Sequence, residues 1–353
     1  MSNREDFFEM INGREVRKIF FSMSCCDSII DQLEQRYGTR DFYSYFGVPF
    51  SYINIEPSHK STDYSSYFAN LSYDVIDEWG LGHRYGSIAH FSSFVSPMAN
   101  FDTPKQVYNF PMSDYLADYR WEKIADRISR AKAADKITIT GGPAIDIFEP
   151  SWYLRGLENM MCDFLLSPEM AEACLERTCA IKYKIAEKYA KVGFDIIIFG
   201  DDVGTERGMM MSPEIWREWI KPRLKKALDI VHTINPDILC YYHSDGDIRL
   251  IIPELIDIGV DILNPIQPEC MNPAEIYNTY ADRVAFWGTI GTQTTMPFGS
   301  VEDVENKTSE MIELCRDRGK LVIAPTHLLE PEVPIENIEA FVRTIRNYNL
   351  MFS

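Results

Sequence analysis

His243 closes an apolar run, Ile238-Leu239-Cys240-Tyr241-Tyr242, and Asp245 follows it two places later in Tyr-Tyr-His-Ser-Asp-Gly. A second histidine, His327, follows a similar run, Leu321-Val322-Ile323-Ala324-Pro325. Strand side chains repeat every two residues, so the His-x-Asp spacing puts both groups on one face if the strand continues. Two imidazoles and a carboxylate suit a zinc-type ion, which in catalytic sites takes three protein ligands and keeps a fourth position open. His243, Asp245 and His327 would fill that set. Glu269 and Cys270, in Asn264-Pro265-Ile266-Gln267-Pro268-Glu269-Cys270, are candidates for a fourth ligand or an outer partner. The plain alternative is that both are ordinary loop residues. A lone strand-end histidine is more often a hydrogen-bonded structural residue; the second histidine and the loop position favour a metal here.

Asp201 and Asp202 follow a third apolar run, in Phe199-Gly200-Asp201-Asp202-Val203-Gly204. Two adjacent carboxylates are costly to bury together. One is expected to be hydrogen-bonded and the other to face the cavity, where it positions the substrate or shares its proton. A purely structural role in the loop Val203–Met211 is the competing reading. Glu149, after Gly141-Gly142-Pro143, and Glu206 beside Arg207 are further candidates for substrate contact. Met209-Met210-Met211 reads as a soft apolar wall, with Met210 as its substrate-facing candidate. The Gly-Gly-Pro turn lacks the lysine and hydroxyl residue of a phosphate loop.

These residues need a scaffold that brings strand ends together. From Ile137 onward, short apolar runs alternate with amphipathic stretches, the signature of βα units and a parallel sheet. The strands expected are Ile137–Thr140, Asp195–Phe199, Ile238–His243, Val260–Leu263, Val284–Trp287 and Leu321–Ala324. Lys18–Ser22 and Pro49–Ile55 bring the count to eight. The fold class expected is therefore α/β, a (β/α)8 barrel forming a single domain over residues 1–353, with the active site at the C-terminal ends of the strands. Ser167-Pro168-Glu169 and Ser212-Pro213-Glu214 look like helix starts with a hydroxyl cap and proline at the first position. Asn272-Pro273-Ala274-Glu275 suggests a capping box, and Ser300 is a fourth start. Between Tyr64 and Asn100 the alternation fails. Tyr73–Trp79 and His83–His90 look like an antiparallel hairpin, rich in aromatic neighbours, that folds over the barrel as a wall or lid. A hairpin plugging the barrel bottom is the alternative.

The 353 residues are 46% hydrophobic, ample for a full core, and carry a net charge of -18. That balance disfavours nucleic acid and anionic membranes as partners. No run approaches the ~18 apolar residues of a membrane span, and the charged start Met-Ser-Asn-Arg-Glu-Asp has no signal-peptide core. A cytoplasmic protein is expected, with its eight cysteines mostly buried free thiols. A homodimer is left open.

Several ordered motifs resemble the uroporphyrinogen decarboxylase-like superfamily. They are Asp201-Asp202-Val203-Gly204-Thr205-Glu206, Met211-Ser212-Pro213-Glu214, Lys221-Pro222-Arg223, Tyr242-His243-Ser244-Asp245-Gly246, Gly259–Pro265, Phe286-Trp287-Gly288 and Ala324-Pro325-Thr326-His327. The resemblance runs from about Glu149 to Ala340, and Asp77-Glu78-Trp79-Gly80 also fits the group. It implies the barrel fold and offers two activities. Porphyrinogen decarboxylases carry an Arg-Gln-Ala-Gly-Arg stretch near the N-terminus, which is absent here. The zinc methyltransferases that work with corrinoid proteins carry a His-x-Cys motif that His243 matches. Asp245 stands where their first cysteine would be, and His327 falls near their second. A His, Asp, His set is harder than one with thiolates and suits polarising an oxygen or nitrogen leaving group. The resemblance therefore implies zinc, a small methylated donor of ether or amine type, and a corrinoid carried by a partner protein. Tetrapyrrole decarboxylation, with Asp201 or Asp202 stabilising a protonated pyrrole, is the runner-up. A metal-free glycoside-cleaving barrel and a non-catalytic binding barrel remain further readings.

Overall fold

Eight short apolar runs form the parallel strands that the alternation predicts, in a computed structural model that describes residues 2–68, 71–86 and 92–351. They are β1 (Phe20–Phe21), β2 (Phe50–Asn54), β3 (Ile137–Gly142), β4 (Ile196–Gly200), β5 (Leu239–His243), β6 (Ile262–Asn264), β7 (Ala285–Ile290) and β8 (Leu321–Pro325). Their hydrogen-bonded order is β2-β3-β4-β5-β6-β7-β8-β1, parallel throughout. Each strand is followed by an outer helix: α1 (Asp27–Tyr37), α2 (Ile124–Ala133), α3 (Pro168–Val192), α4 (Lys221–Ile234), α5 (Ile252–Asp257), α6 (Pro273–Tyr280), α7 (Val301–Cys315) and α8 (Ile335–Leu350). The architecture is the (β/α)8 barrel. Strands covered by helices outside and by one another inside must be apolar on both faces. Accordingly β7 and β8 are buried at every position.

Among the described residues no backbone ladder joins β1 to β2; aromatic packing fills that seam instead. Phe7, on the N-terminal helix Asn3–Ile11, sets its ring 5.4 Å from Phe20 and 5.6 Å from Phe50, edge-on in both cases. The same helix is fastened to the N-terminal ends of the strands. Arg4 pairs with Asp195 just before β4, and the Lys320 N–H just before β8 donates to the Met10 carbonyl. This end is the base of the barrel, and the mouth lies opposite.

Helix starts follow the sequence with two corrections. Ser212 caps by accepting from the Ile215 N–H, and Ser300 forms a full capping box with Asp303. Asn272 accepts from Ala274 and Glu275, worth about 1 kcal/mol for such a cap, but the reciprocal Glu275 bond expected of a capping box is not made. Ser167 sits at the start of α3 without a side-chain cap bond, because its backbone also closes the preceding helix Leu157–Leu166.

The excursion between β2 and α2 forms a three-stranded antiparallel sheet, Val75–Ile76, Gly82–Tyr85 and Ser92–Val95, rather than a plain hairpin. The stretch 87–91, and with it the expected strand end at His90, lies outside the described residues. The sheet rests at the mouth beside the segment after β3. Phe94 meets Tyr153 at 4.5 Å and Trp152 at 5.8 Å between ring centroids, and Lys182 lies 4.9 Å over the Trp79 ring. It is a wall of the mouth and not a plug of the base. No helix among the described residues is long and apolar enough to cross a membrane.

Candidate metal centre

The loops after β4 and β5 are zipped backbone to backbone, and this brings their acidic side chains together. The Asp201 N–H donates to the His243 carbonyl at 3.1 Å, the Asp247 N–H to the Thr205 carbonyl at 2.8 Å, and the Val203 N–H to Ser244 Oγ at 3.1 Å. Contact is so close that a Cβ on Gly246 would lie 2.5 Å from the Gly204 carbonyl carbon, and Gly246 also holds φ at +83°. Only glycine meets both demands. Strand register then places His243 between Gly200 of β4 and Asn264 of β6.

At that point Asp202, His243 and Asp245 bring one ligand atom each within 4.8 Å of the others. Asp202 Oδ1 lies 3.6 Å from His243 Nε2 and accepts the Asp245 N–H at 2.8 Å. The opposite ring nitrogen, His243 Nδ1, is 2.6 Å from Asn264 Oδ1, while the Asn264 amide nitrogen donates to the Trp287 carbonyl at 2.9 Å. That second bond orients the amide so that its oxygen faces the ring. In the neutral ring Nδ1 therefore carries the proton and Nε2 is the nitrogen turned toward the two carboxylates, the arrangement of a metal-binding histidine held by an outer partner.

The electrostatics agree with a cation binding here. Asp245 Oδ1 is buried and has no hydrogen-bond partner among the described residues. Burial raises the Asp245 carboxyl above its ordinary value; His243 and His327 pull it down and Asp202 pushes it up. For His243, burial opposes the charged ring, but Asp245, Asp202, the Asn264 bond and Glu149 outweigh it and raise its pKa. Two carboxylates around one imidazole, with an orphaned oxygen, fit a divalent ion.

The other expected site residues are placed less evenly. Asp201 is wholly buried and accepts the N–H groups of Ile147, Phe148 and Glu149 at 2.6–3.0 Å. Burial, with Asp146 and Glu149, raises its pKa well above the usual carboxylate value against those donors. It holds the β3 and β4 loops together, so the member of the pair that joins the trio is Asp202. His327 comes within 4.0 Å of Asp245 Oδ2 but stays half exposed, at the edge of the trio. Glu269 accepts from Thr294 Oγ1 at 2.8 Å, and Cys270 lies 3.6 Å from Gln267 Oε1; neither joins the trio. Glu206 is exposed at the tip of the ribbon Gly204–Thr205/Gly208–Met209, and Met210 is half-buried just past it.

Glu149 is in closer play. Burial first, then Asp202 and Asp146, push its carboxyl up to about 7, against a hydrogen bond from Tyr153 Oη and the charge of His243. A cavity of about 410 Å³ opens beside the trio, lined by Tyr52, Ile198, Tyr241, His243, Trp287 and His327 among others, with no lysine or arginine in its wall among the described residues. Sequence reasoning passed over Asn264 as a partner of His243. It was visible at the end of β6, but the register that sets it beside His243 was not.

An imidazole and two carboxylates thus converge at the mouth of a parallel (β/α)8 barrel. The uroporphyrinogen decarboxylase (URO-D) family profile matches residues 98–348, and the chain belongs to that family. Among solved structures, a methyltransferase from Methanosarcina mazei superposes with a TM-score of 0.71 at 15% identity, covering 99% of each chain. A B12-independent methionine synthase from Shewanella sp. W3-18-1 reaches a TM-score of 0.41 at 12% identity over 65% of this chain and 68% of its own. Xylanase 10B from Thermotoga maritima also scores 0.41, at 12% identity over 66% and 82%. The first likeness is one of fold; the last two are too distant to carry an argument. A search of curated protein sequences finds no match.

Proposed function

We propose that this chain is a zinc-dependent methyltransferase of the family, moving a methyl group from a small methylated donor to the cobalt of a corrinoid carried by a partner protein. The observation that carries the proposal is His243 Nε2 facing Asp202, beside an Asp245 Oδ1 that has no hydrogen-bond partner among the described residues, at the barrel mouth. His243, Asp202 and Asp245 would hold the ion, with His327 at its edge. When bound, the ion supplies Lewis acidity toward the oxygen or nitrogen of the donor.

The chain's own residues divide the remaining work. Asn264 keeps the His243 ring in one tautomer and orientation. Glu149 is close enough to Asp202 and His243 for each to move its ionisation, and near neutrality it holds a proton that a departing alkoxide or amine needs. Tyr153 donates to Glu149 and fixes the carboxyl. The apolar and aromatic wall of the 410 Å³ cavity favours a small neutral or cationic donor and keeps water from it. Among the described residues that wall has no lysine or arginine, which weighs against a porphyrinogen with its many carboxylates, and so against the decarboxylase reading.

The test is methyl transfer to cob(I)alamin from a panel of methyl ethers and methylamines, with metal content measured on the same preparations. Zinc at one ion per mouth site and turnover of at least one donor are expected. Efficient conversion of uroporphyrinogen by metal-free protein would overturn the proposal in favour of decarboxylation.

A further inference from the structure

Strand β5 carries a second cluster on its other face. Tyr241 and His243 line the cavity, so Cys240, one place before Tyr241 in the strand's alternation, faces the helix layer. There its Sγ lies 3.3 Å from Nε2 of His232, on the last turn of α4. The same Nε2 is 3.2 Å from Oδ2 of Asp261, the residue that leads into β6, and that oxygen accepts the Cys240 N–H at 2.8 Å. All three ligand atoms lie within 4.8 Å of one another. Cys240 is wholly buried, whereas the His232 and Asp261 side chains are 29% and 36% exposed, so the cluster opens to solvent on one side. Gly259 packs flat against the ring, where a Cβ would sit 3.3 Å from it.

We propose that His232, Cys240 and Asp261 form a second metal site, toward the base of the barrel, for a borderline-soft divalent ion of the zinc class. A tetrahedral zinc with Zn–S of about 2.3 Å and Zn–N and Zn–O of about 2.0–2.2 Å puts neighbouring ligand atoms roughly 3.2–3.6 Å apart. The observed spacings of 3.2 and 3.3 Å need only a small adjustment to admit it. Thiolate, imidazole and carboxylate together select zinc over magnesium or calcium. Water takes the fourth position from the open side. On binding, the ion would replace the Cys240 thiol proton, which leaves to solvent. The bound ion fastens the end of α4 to the starts of β5 and β6, a structural role remote from the mouth: three steps along the strand, roughly 10 Å, separate Cys240 from His243.

The mouth trio contains no thiolate, and this separates the two sites spectroscopically. Full-length His243→Ala protein titrated with cobalt(II) should develop a thiolate-to-cobalt charge-transfer band saturating at one ion per chain, and zinc should bleach it. Adding Cys240→Ser should remove the band, while adding Cys270→Ser should leave it. A missing band, or one that follows Cys270 instead of Cys240, overturns the proposal. Should Cys240→Ser fail to fold, Asp261→Asn keeps the thiol and the shape. It must lower cobalt affinity by about tenfold or more, and unchanged affinity overturns the proposal equally.

Discussion

The two histidine clusters at opposite ends of β5 each set one imidazole against a carboxylate, and they differ in how their polar atoms are satisfied. At the base, His232, Cys240 and Asp261 satisfy one another by hydrogen bonds and leave no polar atom stranded. At the mouth, two carboxylates crowd one imidazole, and a buried oxygen of Asp245 has no donor among the described residues. An unsatisfied buried polar atom costs ~1–3 kcal/mol, more when charged. A chain that needed only a folded barrel would do better with the arrangement at the base. The mouth instead carries a cost that the proposed ion would offset, while an ion at the base would reinforce a contact that already closes.

That contrast can be broken most directly at His243. His243→Ala should abolish methyl transfer and empty the mouth site, while far-ultraviolet circular dichroism and the melting temperature stay near those of the parent. Full zinc occupancy at the mouth in a folded His243→Ala/His327→Ala double variant would sink the assignment. Asp202→Asn comes next. Its place in the trio predicts that metal and activity fall together, by more than the ~10–100-fold of an outer-shell change. If activity falls and metal stays, Asp202 orients the donor and His327 is the third ligand.

Asn264→Ala removes the group that fixes the His243 tautomer. Metal affinity should drop by ~10–100-fold, measured by competition with a chelator. Gly246→Ala tests the zipper between the two loops. A Cβ there meets backbone at 2.5 Å with φ at +83°, so a loss of about 1–3 kcal/mol is expected by denaturant unfolding. An unchanged midpoint would show that the loops can separate without consequence.

Glu149→Gln sharpens the contrast through pH. The Glu149 carboxyl ionises at about 7 in the folded chain and near 4.5 when unfolded, so the folded state binds the extra proton between those values. Its contribution to stability is present below about pH 4.5 and is lost as the pH rises through about 7. Glu149→Gln has no such group, so its melting temperature relative to the parent should climb across that window in metal-free protein. A difference that stays flat from pH 5 to pH 7.5, taken as about that span, would mean Glu149 is not held neutral by its neighbours.

Much of this was legible in the residues. Apolar runs and helix starts placed all eight barrel strands within a few residues, because a parallel strand buried on both faces must be written as a continuous apolar segment. His243 and Asp245 were visible as a strand-end pair for the same reason. The Asp201-Asp202 pair reads as one hydrogen-bonded and one cavity-facing carboxylate, whereas both accept backbone N–H groups and only Asp202 reaches the trio. Three backbone N–H groups from the loop after β3 decide that for Asp201, and they lie more than fifty positions away.

Local chemistry therefore settled the elements, their order and the residue types that could bind an ion, since periodicity and turn residues act over a few positions. Which of those residues meet was decided by the register between strands and by the Gly204–Gly246 contact, which packs two loops more closely than any side chain allows. The same register sets Asn264 behind His243, brings Asp202 into the trio and leaves Glu269 and Cys270 out. It also joins Cys240 to His232 and Asp261 on the far side of the strand. Side-chain alternation assigns a face to each residue along one strand, but only the assembled barrel says what stands opposite that face.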